Sequence, residues 1–274
     1  MSATNICFIG AGNMARSLIG GLIADGSDPA SLCAADPDPD QRDVLQQTFG
    51  VRTAATNAAA AAMADVIVLA VKPQVLAAVA SELAAADCND KLIVSIAAGI
   101  REPDIRRWLG GKPAIVRAMP NTPALLRSGA TALYANAHTS EQQREIAESL
   151  LRAVGAVVWL DDETLMDAVT AVSGSGPAYF FLFMEVIARS ATELGLPADI
   201  ARLLTVETAL GAARMALETG EDIEVLRHRV TSPGGTTAAA LATLDSAELR
   251  NLISTAIRAA RDRGIELADE FGQE

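Results

Sequence analysis

The chain has 274 residues, half of them apolar, which is length and apolar content enough to bury a core in one large domain or two moderate ones. With 22 basic against 34 acidic residues the net charge is −12, which excludes the basic footprint of a nucleic-acid or anionic-membrane partner. Three cysteines, Cys7, Cys33 and Cys88, are odd in number and form no Cys-x-x-Cys pair. Neither a disulfide framework nor a metal site is expected, and buried thiols in a reducing cytoplasm fit best.

Residues 5–10 form a short apolar run ending in glycine, expected as a buried parallel strand. A G-x-G-x-x-A pattern follows (Gly10, Ala11, Gly12, Asn13, Met14, Ala15), with Leu18, Ile19, Leu22 and Ile23 marking a helix face behind it. In a dinucleotide fold Gly10 makes the tight turn, Gly12 admits the pyrophosphate and Ala15 lets helix and strand pack closely. A second strand is expected over 31–35 with Asp36 directly after it, where an acid accepts hydrogen bonds from the adenosine ribose. Asp38 and Asp40 follow, so a plain acidic turn is the rival reading. The same acid repels the extra phosphate of NADP, and Arg42 is placed to offset that.

The alternation continues with a strand at 51–53, an alanine-rich helix over 54–64 and a strand at 66–71 ending on Lys72 and Pro73. A helix over 74–86, a strand at 92–95, a helix over 101–109 and a strand at 114–118 come next. Strands alternating with helices predict a Rossmann-like, doubly wound parallel sheet that binds ligands at the carboxyl ends of its strands. That rule gathers Gly10–Gly12, Asp36, Asn57, Ala70–Lys72, Ala97 and Met119–Asn121 on one rim. Asn121, in a turn with two prolines, satisfies either a ligand or its own turn backbone. A strand at 130–134, a helix over 140–154 with Ser140 and Gln143 at capping-box spacing, and a strand at 156–160 complete a dinucleotide-binding domain, residues 1–160.

Beyond 160 strand signals stop, and an all-α dimerisation and substrate-binding domain is expected over 161–274. The uncharged run 168–184 is interrupted by a Ser-Gly-Ser-Gly segment at 173–176, which makes it a poor membrane span. Residues 179–184 (YFFLFM) are apolar on nearly every face, so this helix must be buried all round, at a subunit interface. His138 and His228 sit among polar and charged neighbours, and no Ser–His triad or metal cluster is present. Asp161, Asp162 and Glu163 form an acidic corner, either a solvated turn or a place where Glu163 faces substrate. Thr231, Ser232, Pro233, Gly234, Gly235, Thr236 and Thr237 precede an alanine run that starts a helix. Its free backbone N–H groups, beside two threonine hydroxyls, suit a small carboxylate or phosphate.

Six segments carry a resemblance: 8–15 (FIGAGNMA), 70–74 (AVKPQ), 95–99 (SIAAG), 119–123 (MPNTP), 168–179 (AVTAVSGSGPAY) and 230–237 (VTSPGGTT). In this order they resemble pyrroline-5-carboxylate reductase, essentially end to end. The resemblance implies reduction of 1-pyrroline-5-carboxylate to L-proline by NADPH or NADH, the last step of proline biosynthesis. It also implies a homodimer, commonly assembled into a decamer, with active sites between the cofactor domain and helical elements of the dimer. The family's substrate loop maps onto Ser232, Gly234, Gly235, Thr236 and Thr237, and its cofactor contacts onto Gly10, Ala11, Gly12, Asn13, Met14, Asp36, Asn57, Ala70, Lys72 and Ala97. Asp36 departs from the small or basic residue common in relatives, so the usual NADPH preference is open.

The chemistry agrees with the residue types. A cyclic imine enters already protonated, so a histidine acid is not required and positioning does most of the work. Thr237 is the catalytic candidate, holding the ring nitrogen while the helix terminus holds the carboxylate. Two alternatives remain: a non-catalytic NAD(P)-sensing dimer, and a relative of 3-hydroxyacid or 6-phosphogluconate dehydrogenases. The latter need a catalytic lysine in the helical domain, and no lysine follows Lys112.

Overall fold

A computed structural model describes residues 4–85 and 88–273. It divides into two compact units, Met1–Ser175 with Ala260–Glu274, and Gly176–Ala259. The division drawn after residue 160 from the sequence thus falls inside the first unit.

The first unit is built on one eight-stranded sheet, in the order β3-β2-β1-β4-β5-β6-β7-β8. Its strands are β1 (Ile6–Ile9), β2 (Leu32–Ala35), β3 (Arg52–Ala54), β4 (Val66–Leu69), β5 (Leu92–Ser95), β6 (Ala114–Met119), β7 (Gly129–Ala135) and β8 (Gly155–Trp159). Every residue of β1, β2, β4 and β5 is buried, as expected of strands covered on both faces. Side chains alternate between two cores. Phe8, Val68 and Val94 join Leu18, Ile19 and Leu150 on one face, while Ile9, Ile67 and Ile93 join Leu76, Leu83 and Ile105 on the other.

The covering helices are α1 (Asn13–Ala24), α2 (Pro39–Phe49), α3 (Asn57–Ala61), α4 (Pro73–Ala84), α5 (Glu102–Leu109) and α6 (Glu141–Arg152). Their starts are local. Pro39 and Pro73 occupy first-turn positions, and Ser140 and Gln143 close both bonds of the capping box. The helix expected over 74–86 ends at Ala84, and Ala86 lies outside the described residues.

Two expectations are corrected here. The 54–64 helix shrinks to the five residues of α3, because Ala54 pairs with Ala35 in the sheet and Thr56 caps the helix, its Oγ1 accepting from Ala59 N at 3.4 Å. Pairing overrides alanine's helix propensity. The sheet is also not wholly parallel, since β7 runs antiparallel to β6. The link from Met119 to Gly129 is too short for a crossover, which needs a dozen or more residues.

After β8 come α7 (Met166–Val169) and a π-helical turn, Thr170–Gly174. The second unit contains α8 (Gly176–Glu193), α9 (Ala198–Thr219), α10 (Ile223–Arg229), α11 (Thr236–Ser246) and the start of α12 (Leu249–Gly272), whose last turns belong to the first unit. The Ser-Gly-Ser-Gly segment does not interrupt the chain's helical course. Gly174, the last residue of the π turn, lies under Met119, where a Cβ would stand 2.4 Å from the methionine methyl, so the glycine admits a close approach. Helix runs over Glu163–Glu193, long and apolar enough by length and composition to cross a membrane, with 11% of its most apolar window buried.

The aromatic stretch on α8 is likewise not buried within one chain. Phe180 is 65% exposed, Phe181 64% and Leu182 60%. The second unit by itself leaves α8, α9 and α11 almost wholly uncovered, with Ala201, Thr205 and Leu226 among its few buried side chains. A unit that buries so little apolar area cannot offset the entropy of its own ordering without further cover.

Candidate active site

Gly10 follows β1 at φ +102°, with its N–H donated to Ala35 O at 2.8 Å. A Cβ there would stand 2.7 Å from Ala70 O, so both the positive φ and the close approach require glycine. Gly12 is the N-cap of α1 and offers no side-chain acceptor to that helix's first N–H groups. A Cβ on Gly12 would meet nothing within 4 Å. The result is an open, uncapped helix N-terminus behind a pinched turn, which fits a pyrophosphate. Arg16 braces the loop from behind, its Nε donating to Ala11 O at 3.1 Å and its Nη2 to Gln41 Oε1 at 2.5 Å.

Asp36 holds two backbone groups. Oδ2 accepts from Ala11 N at 2.9 Å and Oδ1 from Asp38 N at 3.0 Å. Arg42 turns to the backbone, donating to Asp36 O at 2.6 Å and Pro37 O at 3.0 Å. Asn57 opens α3 and donates to Glu82 Oε2 at 2.9 Å. Ala70 follows β4 and donates its N–H to Ile9 O at 2.8 Å, while Lys72 is exposed at the N-cap of α4. Ala97, past β5, is buried with its N–H 3.5 Å from Ser95 Oγ. The structure therefore sets the glycine loop, Asp36, Asn57, Ala70, Lys72 and Ala97 after successive carboxyl ends of the sheet.

Asn121 bonds outside its own turn: its Oδ1 accepts from Ala130 N in β7 at 2.9 Å and its Nδ2 donates to Ser173 O at 3.2 Å. Glu163 is an anchor. Its Oε1 pairs with Arg117 Nη1 at 2.6 Å and accepts from Glu102 N, in the first turn of α5, also at 2.6 Å. Sequence reasoning missed Arg117, 8% exposed in the middle of an apolar strand. A lone arginine between Val116 and Ala118 was the available signal that a carboxylate must meet it. Asp167 lies near the same cluster, and burial pushes its carboxyl above the ordinary value against the pull of Arg117 and Arg101. Among the described residues no group of three His, Cys, Asp or Glu side chains could hold a metal.

In the second unit Thr231 Oγ1 ties back to Arg227 O at 2.6 Å, and Gly234 adopts φ +70°. Gly235 N donates to Ser232 O at 3.0 Å and Gly235 then caps α11 without a side-chain acceptor. Thr236 and Thr237 occupy the first turn of α11, and neither hydroxyl has a hydrogen-bond partner among the described residues. The five predicted loop residues thus form a single uncapped helix start.

A 3-2-1-4-5-6 sheet with a glycine-pinched helix N-terminus defines a protein of the Rossmann-type dinucleotide-binding class. Comparison with known proteins narrows the class. Residues 163–267 match the family model for pyrroline-5-carboxylate reductase dimerisation, and residues 5–99 match that for NADP oxidoreductase, coenzyme F420-dependent. The chain is 52% identical over 273 residues to the Pseudomonas aeruginosa pyrroline-5-carboxylate reductase, covering all of both chains. It is similar to the solved Coxiella burnetii pyrroline-5-carboxylate reductase, with a TM-score of 0.92 at 47% identity over 97% of this chain and 99% of that one. The Plasmodium falciparum pyrroline carboxylate reductase, solved with NADP bound, gives a TM-score of 0.88 at 26% identity over 98% and 99%. The chain belongs to the pyrroline-5-carboxylate reductase family. It is an NAD(P)H-dependent oxidoreductase that reduces pyrroline-5-carboxylate to proline, and it forms a homo-oligomer through a dimerisation domain. The exposed apolar faces of α8 and α9 lie inside the matched dimerisation region.

Proposed function

We propose that the reaction proceeds on a ring-protonated imine whose carboxylate is held at the N-terminus of α11 and whose nitrogen is held by Thr237. One observation carries this reading: α11 starts on Gly235 with no side-chain cap, and Thr237 Oγ1 has no hydrogen-bond partner among the described residues. A threonine serving as the helix cap would spend its oxygen on the N–H groups two or three residues on, and here the cap is a glycine. The first-turn N–H groups and the positive end of the helix dipole favour a carboxylate. Gly234, at φ +70°, and Gly235 leave that terminus open, and Ser232 and Thr236 flank it. Bound NADPH or NADH supplies the hydride. Thr237 Oγ1 accepts the N–H of the protonated ring, fixing which face of the C=N carbon is presented. Because the ring arrives protonated, no side chain of shifted pKa has to deliver a proton.

Cofactor contacts are assigned to the glycine loop with Asp36, Asn57, Ala70, Lys72 and Ala97, within residues 1–160, and substrate and dimer contacts to residues 161–274. Asp36 leaves NADH usable beside NADPH, because its carboxylate repels a 2′-phosphate. Glu163 acts through Arg117 and the α5 terminus rather than by touching substrate, as its Oε1 is already shared between them. A homodimer assembled into a decamer, free of membrane and nucleic acid in the cytoplasm, completes the reading; the acidic net charge of −12 supports the absence of nucleic acid, and the thiols of Cys7 and Cys33, not joined in a disulfide, fit a reducing compartment.

Thr237→Ala, Thr237→Ser and Thr237→Val test the assignment. Alanine and valine should lower kcat/KM for the imine about ten- to hundredfold, the value of a hydrogen bond to a charged group, with melting temperature and cofactor affinity unchanged. Serine should retain most activity. Normal kcat/KM in a destabilised Thr237→Ala enzyme would make the residue structural.

A further inference from the structure

The last turns of α12 pack one narrow face on the rest of the first unit. Gly264, Leu267, Ala268 and Phe271 recur at the i, i+3, i+4, i+7 spacing of a single helical stripe, and Gly264 and Ala268 are buried. Arg263, Glu266 and Glu270 pair with one another on the exposed side. The stripe ends on the loop that follows β5. A Cβ on Gly99, which has φ +71°, would stand 3.6 Å from Leu267 Cβ and 3.8 Å from the Phe271 ring. Phe271 also packs against the core that contains Ala97 and Ile100 of the same loop. Two polar contacts moor the helix end to α5: Asp269 Oδ1 meets Arg101 Nη1 at 2.7 Å, and Gly272 O accepts from Arg107 Nη2 at 2.7 Å. We propose that Phe271 and Asp269 are positioning residues, which hold the loop 96–101 in the course that receives the nicotinamide half of the cofactor.

The loop needs a brace because its own backbone supplies little. Ile96 N donates to Leu69 O at 3.1 Å, and Ala97 N lies 3.5 Å from Ser95 Oγ. Among the described residues, the N–H groups of Ala98, Gly99 and Ile100 donate no intramolecular hydrogen bond. Gly99 adds freedom of its own, since a glycine loses more conformational entropy on ordering than any other residue. An aromatic ring laid over that glycine restricts it. The Arg101–Asp269 pair, with side chains 39% and 58% exposed, contributes little alone because solvent screens it. Phe271 is therefore the main brace and Asp269 the lesser one.

The place of the loop in the sheet gives the brace its consequence. In a 3-2-1-4-5-6 sheet each half takes one mononucleotide, and β5 belongs to the half without the glycine loop. The inference rests on the proposed assignment of Ala97 to the cofactor. A loop that holds its binding course only part of the time lowers cofactor affinity by that fraction. The adenosine end, assigned to the glycine loop and Asp36, does not share the loss.

The test compares Phe271→Ala, Phe271→Leu and Asp269→Asn in the full-length enzyme, by calorimetric titration with NADH and with ADP. ADP carries the adenosine and a pyrophosphate but no nicotinamide, and its binding shows that each variant has folded. Phe271→Ala should raise the NADH Kd about tenfold, the loss when the loop holds its course about a tenth of the time, with the ADP Kd unchanged. Phe271→Leu restores apolar cover and should recover most of the affinity. Asp269→Asn, at an exposed position that puts no core at risk, should raise the NADH Kd about twofold. Backbone hydrogen exchange at residues 96–101 should quicken in Phe271→Ala and should slow when NADH binds the parent protein. Equal losses for NADH and ADP overturn the proposal, because the helix end then supports the fold alone. So does an unchanged NADH Kd in Phe271→Ala, or exchange at 96–101 that the substitution leaves as it was. Parent protein in which NADH protects residues 10–15 but not 96–101 removes the Ala97 assignment itself, a result that needs no variant.

Discussion

Asp36 Oδ2 accepts the backbone N–H of Ala11 at 2.9 Å, so the acid that ends β2 also clamps the loop that follows β1. Cofactor choice and loop geometry therefore share one carboxylate. Asp36→Ser should raise the KM for both cofactors, because Ala11 loses its partner. It should also shift the NADPH/NADH ratio of kcat/KM upward, since a carboxylate facing a 2′-phosphate costs about 1–2 kcal/mol at intermediate dielectric. Steady-state kinetics with both cofactors separates the effects. An unchanged ratio would leave Asp36 a turn and loop residue only.

Gly10 and Gly12 should fail in opposite ways. Gly10→Ala puts a Cβ 2.7 Å from Ala70 O at φ +102°, and should destabilise the fold by about 1–3 kcal/mol. Gly12→Val enters open space, so the melting temperature should hold while NADPH affinity collapses. Thermal melts and cofactor titrations on both variants check this, and an unchanged cofactor affinity in a well-folded Gly12→Val protein removes the pyrophosphate assignment.

Asp167 gives the stability a pH dependence of known sign. Burial raises its carboxyl above the ordinary value, and Glu163 and Asp269 push the same way against Arg117 and Arg101. Between the ordinary and the raised value the folded chain binds more protons than the unfolded one, so this group's contribution falls as pH rises through that window. Asp167→Asn should raise the melting temperature at pH 7 relative to pH 4 by more than in the parent chain. Parallel melting curves for the two proteins would refute it.

Phe180, Phe181 and Leu182 stand exposed on α8 within the matched dimerisation region. Burying each is worth about 1.5–3 kcal/mol, so a folded monomer should not persist at micromolar concentration. Sedimentation should show dimers or larger species, and Phe181→Glu should yield monomer that is unfolded or aggregated. A folded wild-type monomer at that concentration would count against the interface.

What the amino-acid sequence determined by itself is the part of the structure whose causes are local. The cap at Ser140, the starts at Pro39 and Pro73 and the turn at Gly10 follow from side-chain oxygens, a locked φ and a missing Cβ within a few residues of the place they act. The fully apolar runs of β1 and β4 announced a sheet covered on both faces, and the spacing of glycines and acid marked the proposed cofactor end. Tertiary structure decided the rest. Ala54 joined β3 instead of a helix because Ala35 was there to pair with. Thr170–Gly174 form a π turn at the start of the Ser-Gly-Ser-Gly segment, and Met119, more than fifty residues earlier, lies against Gly174. Glu163 was claimed by Arg117 and Glu102, and Asn121 by Ala130 and Ser173, partners that periodicity does not connect. Local chemistry can say how a segment starts and stops, but which surfaces meet depends on the summed burial and pairing of distant segments, and that becomes definite only when the chain is folded.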